Sequence, residues 1–222
     1  MKNTIGVTGG IGSGKSTVLQ ILHERYGFAV FRTDEIAKEL MQPGQKCLGR
    51  LRDAFGTRIL NSDGTLNKKC YGDLIYGNRE LLKLSDSIVH PAVWEAVGMQ
   101  LSECRKNGVR AVIETALPNR QFYEFCGCVW YVHAEKEVQI ERLMCSRGLD
   151  RVRCEEIIAS QQDEENYREQ ADAVIENSGT LSETERRVAD LLQAENGGTL
   201  SETERRVADL LRTENDSCPL ND

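Results

Sequence analysis

Along the first 44 residues the spacing of apolar positions changes repeatedly. A short β-prone run, "NTIGVT" (3–8), ends at glycines. In "KSTVLQILHERYG" the apolar residues fall at 18, 19, 21 and 22, one face of a helix that closes at Gly27. "FAVFRT" (28–33) reads as a second strand. "DEIAKELM" (34–41) reads as a helix that opens on an acid and stops at Pro43-Gly44. Strand, glycine loop, helix, strand, helix is the opening of a parallel sheet.

Residues 45–105 predict a mostly helical insert, broken by a turn at "NSDGT" (61–65) and lacking a clear strand. "VRAVIETAL" (109–117) and "CVWYVHA" (128–134) are the expected third and fourth strands. "EKEVQIERLMCSR" (135–147) carries apolar residues at 138, 140, 143 and 144 and predicts a helix. "CEEIIASQQDEENYREQA" (154–171) predicts another, very polar one, and "DAVIEN" (172–177) a fifth strand. The expected fold is α/β: a five-stranded parallel sheet with helices on both faces.

The chain then repeats itself. "SGTLSETERRVADLLQAEN" (178–196) and "GGTLSETERRVADLLRTEN" (197–215) agree at sixteen of nineteen positions. Each copy offers a capping box, Ser182 with Glu185 and Ser201 with Glu204. The first has an apolar face of Leu181, Val188, Leu191 and Leu192. Two units are too few for a solenoid. The first copy is read as a terminal helix beside the fifth strand, the second as a duplicated appendage; the alternative is that both belong to the core.

The chain has 222 residues with net charge −7, of which ten acids and five bases fall in 178–222. That balance argues against a general nucleic-acid binder and leaves room in the body for a basic pocket. No run approaches 18 apolar residues, and "MKNTIGVTGG" shows no long apolar stretch, so the expectation is a cytoplasmic protein without membrane contact. The eight cysteines are irregularly spaced, which reads as reduced thiols.

The sharpest chemistry is "VTGGIGSGKST" (7–17), which fits G-x-x-x-x-G-K-[ST] from Gly9 through Gly14, Lys15 and Ser16. Glycines let successive N–H groups converge, and the following helix turns its unpaired amides and positive dipole end to an anion. The pattern predicts a nucleoside triphosphate held on Gly10, Ile11, Gly12, Ser13, Gly14, Lys15, Ser16 and Thr17, with Lys15 on the β- and γ-phosphates and Ser16 on Mg²⁺. A GTPase would need N-K-x-D; the chain has only "NKKC" at 67–70.

A small kinase needs a carboxylate for the acceptor hydroxyl, arginines for the transferring group and a lid. Asp34, expected to close a strand neighbouring the loop's, is a candidate base; the alternative is a plain helix N-cap. Arg142, Arg147, Arg151 and Arg153 cluster around Gly148, as a lid or as solvated helix faces. Glu114, ending the third strand, is placed near Mg²⁺ through water or in a salt bridge. His90-Pro91 ends a helix or starts the next.

"IGVTGGIGSGKSTV", "TDEIAKELMQPG", "IVHPAV", "VWYVHAEKEVQIERLMCSRG", "ASQ" and "VIENSGT", in that order over residues 3–180, resemble dephospho-CoA kinase. The resemblance implies transfer of the ATP γ-phosphoryl to the ribose 3′-hydroxyl of dephospho-CoA, the last step of CoA synthesis. It implies a P-loop kinase core (1–44 and 106–196), a helical substrate-side insert (45–105) and a lid near 147–154; the repeat adds a duplicated tail (197–222). Carried over by position, Asp34 is the catalytic acid, with Lys15, Arg142 and Arg147 catalytic beside it. His90 lies on the substrate side and Asn177 near the adenine. Two departures stand out: the family often has an acid where Arg32 stands, and another where Arg120 stands. The rivals are another small-molecule P-loop kinase and a nucleotide-binding protein with degenerate catalysis.

Overall fold

The computed structural model describes residues 4–161 and 164–197. Strands β1 (Thr4–Thr8), β2 (Ala29–Arg32), β3 (Ala111–Glu114), β4 (Cys128–His133) and β5 (Ala173–Glu176) form one sheet in the order β2-β3-β1-β4-β5. Every pairing is parallel. The chain therefore starts in the middle of the sheet and builds outward on both sides. The strand neighbouring β1 is β3, not β2 as the sequence order suggests. This puts Glu114 between the glycine loop and Asp34.

Strand alternation decides which helices cover which face. Ile5, Val7, Val112, Trp130 and Val132 turn to one side. There they meet Val18, Leu19 and Leu22 of α1 (Lys15–Tyr26) and Val188, Leu191 and Leu192 of α10 (Leu181–Gly197). Ala111, Ile113 and Val129 turn to the other side, against α2 (Thr33–Leu40), α5 (Arg79–Lys106) and α6 (Arg120–Phe125). Gly6 shares that second face. A Cβ on it would lie 2.5 Å from the Phe122 ring, so α6 approaches the central strand only because nothing projects there.

The insert builds its own core. α3 (Lys46–Phe55), a 3₁₀ turn (Thr57–Ile59) and α4 (Lys68–Ile75) pack Cys47, Leu51, Phe55, Ile59 and Tyr71 against α5. The Tyr71 and Ser85 hydroxyls bond inside it. After β4 come α7 (Lys136–Arg147), α8 (Arg151–Ala159) and α9 (Glu164–Glu169). Ile140, Leu143 and Cys154 form a small cluster between α7 and α8. The seven described cysteines form no disulfide.

Several expected details differ. Pro91 lies inside α5, which runs unbroken for 28 residues. Pro91 and Ser87 are exposed, so the carbonyl that the proline leaves unpaired faces water, while Val93 and Trp94 are held in the core. α6 was not legible, having six residues and a lone Asn119 cap. The polar stretch at 154–171 is two helices, and the first begins at Arg151 because Asp150 caps it. In the terminal helix the reciprocal box is Thr180 with Glu183, not Ser182 with Glu185. Glu185 instead meets Arg25 of α1 at 2.5 Å, and Leu181 is 56 % exposed, off the apolar face. The second repeat copy lies outside the described residues, apart from the end of α10.

Gly6→Ala should force the Phe122 ring and α6 outward and lower stability by about 1–3 kcal/mol. Urea unfolding checks it; an unchanged midpoint would mean that α6 does not pack this closely.

Candidate active site

The glycine loop joins the carboxyl edge of β1 to the start of α1. Its glycines are required by neighbours as much as by curvature. Gly12 and Gly14 have φ of 75° and 91°. A Cβ on Gly12 would lie 2.9 Å from the Gln139 carbonyl oxygen, and one on Gly14 only 1.9 Å from the Asn177 amide nitrogen. Gly9 backs against the Val132 carbonyl in the same way. The loop is thus pressed from behind by β4, α7 and the segment after β5.

A loop that gathers its amides inward must turn carbonyls outward, and buried carbonyls need donors. Lys15 Nζ donates to the oxygens of Gly9 (2.7 Å) and Gly10 (3.1 Å). Arg142 Nη1 donates to those of Gly12 and Ser13, both at 3.3 Å. Asn177 Nδ2 donates to Ser13 O at 2.7 Å. The start of α1 is left open: Gly14 provides no side-chain cap, and the first turn carries no acid. Its unpaired amides and dipole favour an anion.

Two of the expected site residues stand against the back of the loop. Asn177 is 4 % exposed; its Nδ2 donates to Ser13 O and its Oδ1 accepts from the Thr184 hydroxyl at 2.6 Å. The other amino group of Arg142 donates to Asn177 O at 2.7 Å, so the guanidinium braces the back of the loop.

Across the loop stand the carboxylates. Glu114 is paired in register with Val7 on one side and Arg32 on the other. Its Oε1 is 3.8 Å from Lys15 Nζ, and both side chains are 14 % exposed. Burial pushes the Glu114 carboxyl above the usual range. Lys15 pulls it down, Asp34 raises it, Arg32 lowers it and Glu35 raises it. Burial likewise holds the Lys15 ammonium below the usual lysine range; Glu114 and Asp34 oppose this and Arg147 adds to it. Lys15, Glu114, Asp34 and Arg147 are therefore one electrostatic group. Asp34 is exposed in the first turn of α2 and is not its cap, since that position belongs to Arg32.

The remaining candidates separate. Arg147 is exposed and, among the described residues, makes no hydrogen bond or ion pair. Arg151 and Arg153 are held in surface pairs with Glu137, Glu155 and Glu156, the solvated reading. His90 lies on the exposed side of α5, 3.7 Å from Asp86. Arg120 pairs with Glu124 of its own helix. Ser16 and Thr17 lie at the mouth of the loop, exposed and half-buried.

The sequence pattern of the dephospho-CoA kinase family matches residues 3–183. The chain belongs to the dephospho-CoA kinase family. A dephospho-CoA kinase of Geobacter sulfurreducens is 36 % identical over 191 residues, 85 % of this chain and 96 % of that one. One from Corynebacterium efficiens is 37 % identical over 194 residues, again 85 % and 96 %. The crystal structure of Thermus thermophilus TT1252 superposes with a TM-score of 0.71 at 28 % identity, covering 86 % of this chain and 96 % of that one. Among the described residues, no helix is long and apolar enough to cross a membrane.

Within this family fold, periodicity could not reveal residues that act through single polar atoms. Gln161, after α8, accepts the Ile11 N–H at 2.7 Å. His133, at the end of β4, lies between Glu176 (2.6 Å) and Glu164 of α9 (3.2 Å), while Arg168 joins the same two acids. Tyr167 stacks on Tyr131 at 5.1 Å and donates to Ala116 O. These contacts fasten α9 to the sheet edge beside the loop. The signal for Gln161 was the "ASQ" string; nothing in the spacing points to His133.

The raised Glu114 carboxyl has a measurable consequence. Folding favours its protonated form, so the full stability is present below the unfolded value of 4.5 and is lost as pH rises through the folded one. Glu114→Gln should therefore raise the thermal midpoint of the nucleotide-free protein at neutral pH, with the gain fading as pH falls through the carboxylate range. Melting curves across pH check this; a lower midpoint at neutral pH would contradict it.

Proposed function

We propose that the chain transfers the γ-phosphoryl group of ATP to the ribose 3′-hydroxyl of dephospho-CoA. The observation that carries the reading is the pairing of an amide-lined loop with an exposed carboxylate, Asp34, that is charge-coupled to the loop's own lysine. The inward amides and the open end of α1 take the phosphates, and Lys15 Nζ, which keeps a third N–H beyond those given to the Gly9 and Gly10 carbonyls, offers it to the β- and γ-oxygens. Asp34 accepts the hydrogen bond of the acceptor hydroxyl, aligns it for in-line attack and takes its proton as charge develops. Arg147, with no other partner among the described residues, is the cation available to the transferring group.

Mg²⁺ fits the donor set. Ser16 and the carboxylates of Glu114 and Asp34 offer hard oxygen ligands, and the two acids raise each other's need for a cation. No cluster of three or more His, Cys, Asp or Glu forms a cage among the described residues, which suits an ion that arrives on phosphates. When bound, Mg²⁺ neutralises phosphate charge and orients the γ-phosphoryl group. Ser16 and Glu114 would hold it, with Glu114 acting through water.

The insert (45–105) is assigned to the acceptor, and the turn at 147–154 to the lid. Tyr76, 90 % exposed at the end of α4, is assigned to the insert side of the acceptor's entry. An acceptor entering there meets Asp34 at the sheet edge. Water is excluded if α8 closes toward Tyr76.

The direct test is incubation with Mg·ATP and dephospho-CoA, followed by mass spectrometry for a product one phosphate heavier. ADP formation that does not depend on the acceptor would contradict the reading. Asp34→Asn should lower kcat by about 10²–10⁴-fold with little change in ATP affinity; a kcat within a few-fold of the parent would remove Asp34 as the base. Lys15→Ala should weaken ATP binding and turnover together, read from KM and kcat.

A further inference from the structure

The peptide group between Gly10 and Ile11 is held at both ends. Its oxygen accepts Lys15 Nζ at 3.1 Å and Ser13 N at 3.3 Å. Its N–H donates to Gln161 Oε1 at 2.7 Å. Gln161 reaches it from the turn that ends α8, where its own N–H is bonded to Ile158 O. The approach depends on Gly10, since a Cβ there would lie 3.0 Å from the Gln161 oxygen. The Ile11 side chain meanwhile packs into the cluster of Ile140, Leu143 and Cys154, together with Leu149 and Ile158. One loop residue is thus held by the lid helices twice, through its side chain and through its amide.

We propose that Gln161 reads the terminal phosphate of the nucleotide and passes its presence to the lid. The Ile11 N–H is one of the loop amides that the G-x-x-x-x-G-K-S pattern assigns to the phosphates, and the proposal sets it against the γ-phosphate. An N–H has one proton to give. A γ-phosphate oxygen arriving there competes with Gln161 Oε1, and two acceptor oxygens facing one another repel. The glutamine amide has a way out that a carboxylate lacks: it turns over and donates Nε2–H to the same phosphate oxygen. A diphosphate leaves the Ile11–Gln161 bond in place. The exchange moves the end of α8, on which Cys154 and Ile158 hold the Ile11 side chain, so triphosphate and diphosphate set the lid differently. Gln161 is on this account a specificity residue for triphosphate over diphosphate.

The inference rests on the proposed ATP site but not on the acceptor, so it is tested by nucleotide binding alone. Calorimetry with a non-hydrolysable ATP analogue and with ADP compares the parent with Gln161→Glu, which keeps an acceptor for the Ile11 N–H, removes the donor and adds a charge. The analogue should bind about tenfold or more weakly, with ADP within about twofold of the parent. Gln161→Ala should reduce the analogue-to-ADP preference by about threefold. Equal weakening of both nucleotides, or of neither, would show a clamp that does not read the γ-phosphate and overturns the proposal. The parent protein gives a check that no substitution can spoil. Its ¹⁵N-labelled Ile11 amide signal should move further with the analogue than with ADP; the same displacement with both overturns the proposal. A parent that binds neither nucleotide overturns the ATP site itself, whereas one that binds both without this split overturns only the role of Gln161.

Discussion

The structure depends on how the glycine loop settles its carbonyls. Convergent amides are useful only if the oxygens behind them are held, because an unpaired buried carbonyl would turn the peptides over. Lys15, Arg142 and Asn177 supply those donors. They come from α1, from α7 and from the residue after β5, so the loop near the N-terminus is completed by residues far along the chain. The core reflects the same need. Val188, Leu191 and Leu192 seat α10 beside α1, and Thr184 of that helix orients the Asn177 amide.

Charge follows from this arrangement. Lys15 is buried because it spans the loop, and burial disfavours its ammonium. Glu114 is brought beside it by the strand order, with β3 between β1 and β2. Arg32, cross-strand from Glu114, adds a second positive neighbour to that acid and also pairs with Glu35 at 3.5 Å. Burial consequently disfavours the charged form of both Lys15 and Glu114. Arg147, exposed at the end of α7, joins the group through its repulsion of Lys15.

Much of this was legible beforehand, for a physical reason. The short β-prone runs "NTIGVT" and "CVWYVHA", bounded by turn residues, report buried strands, and G-x-x-x-x-G-K-S reports an anion cradle whatever surrounds it. Strand order was less legible, because pairing is a tertiary choice that short runs of similar composition do not encode. The bracing contacts of Arg142 and Asn177 were not legible for a related cause. Spacing places both near the loop but cannot say on which side of it they stand, and the outward carbonyls settle that question. The capping box shifted from Ser182 to Thr180 because two overlapping patterns compete and Glu185 has a partner in Arg25. Pro91 shows the opposite case, where packing by Val93 and Trp94 overrides a strong local breaker.

The central claim is that Arg142 and Asn177 hold the loop's carbonyls so that its amides can hold phosphates. A crystal structure with a non-hydrolysable ATP analogue tests it most directly. The account predicts phosphate oxygens within hydrogen-bond distance of the Gly12, Gly14, Lys15 and Ser16 amides, with Arg142 and Asn177 still on the Gly12 and Ser13 carbonyls. A bound complex in which Arg142 and Asn177 have left those carbonyls while the loop keeps its shape would contradict it.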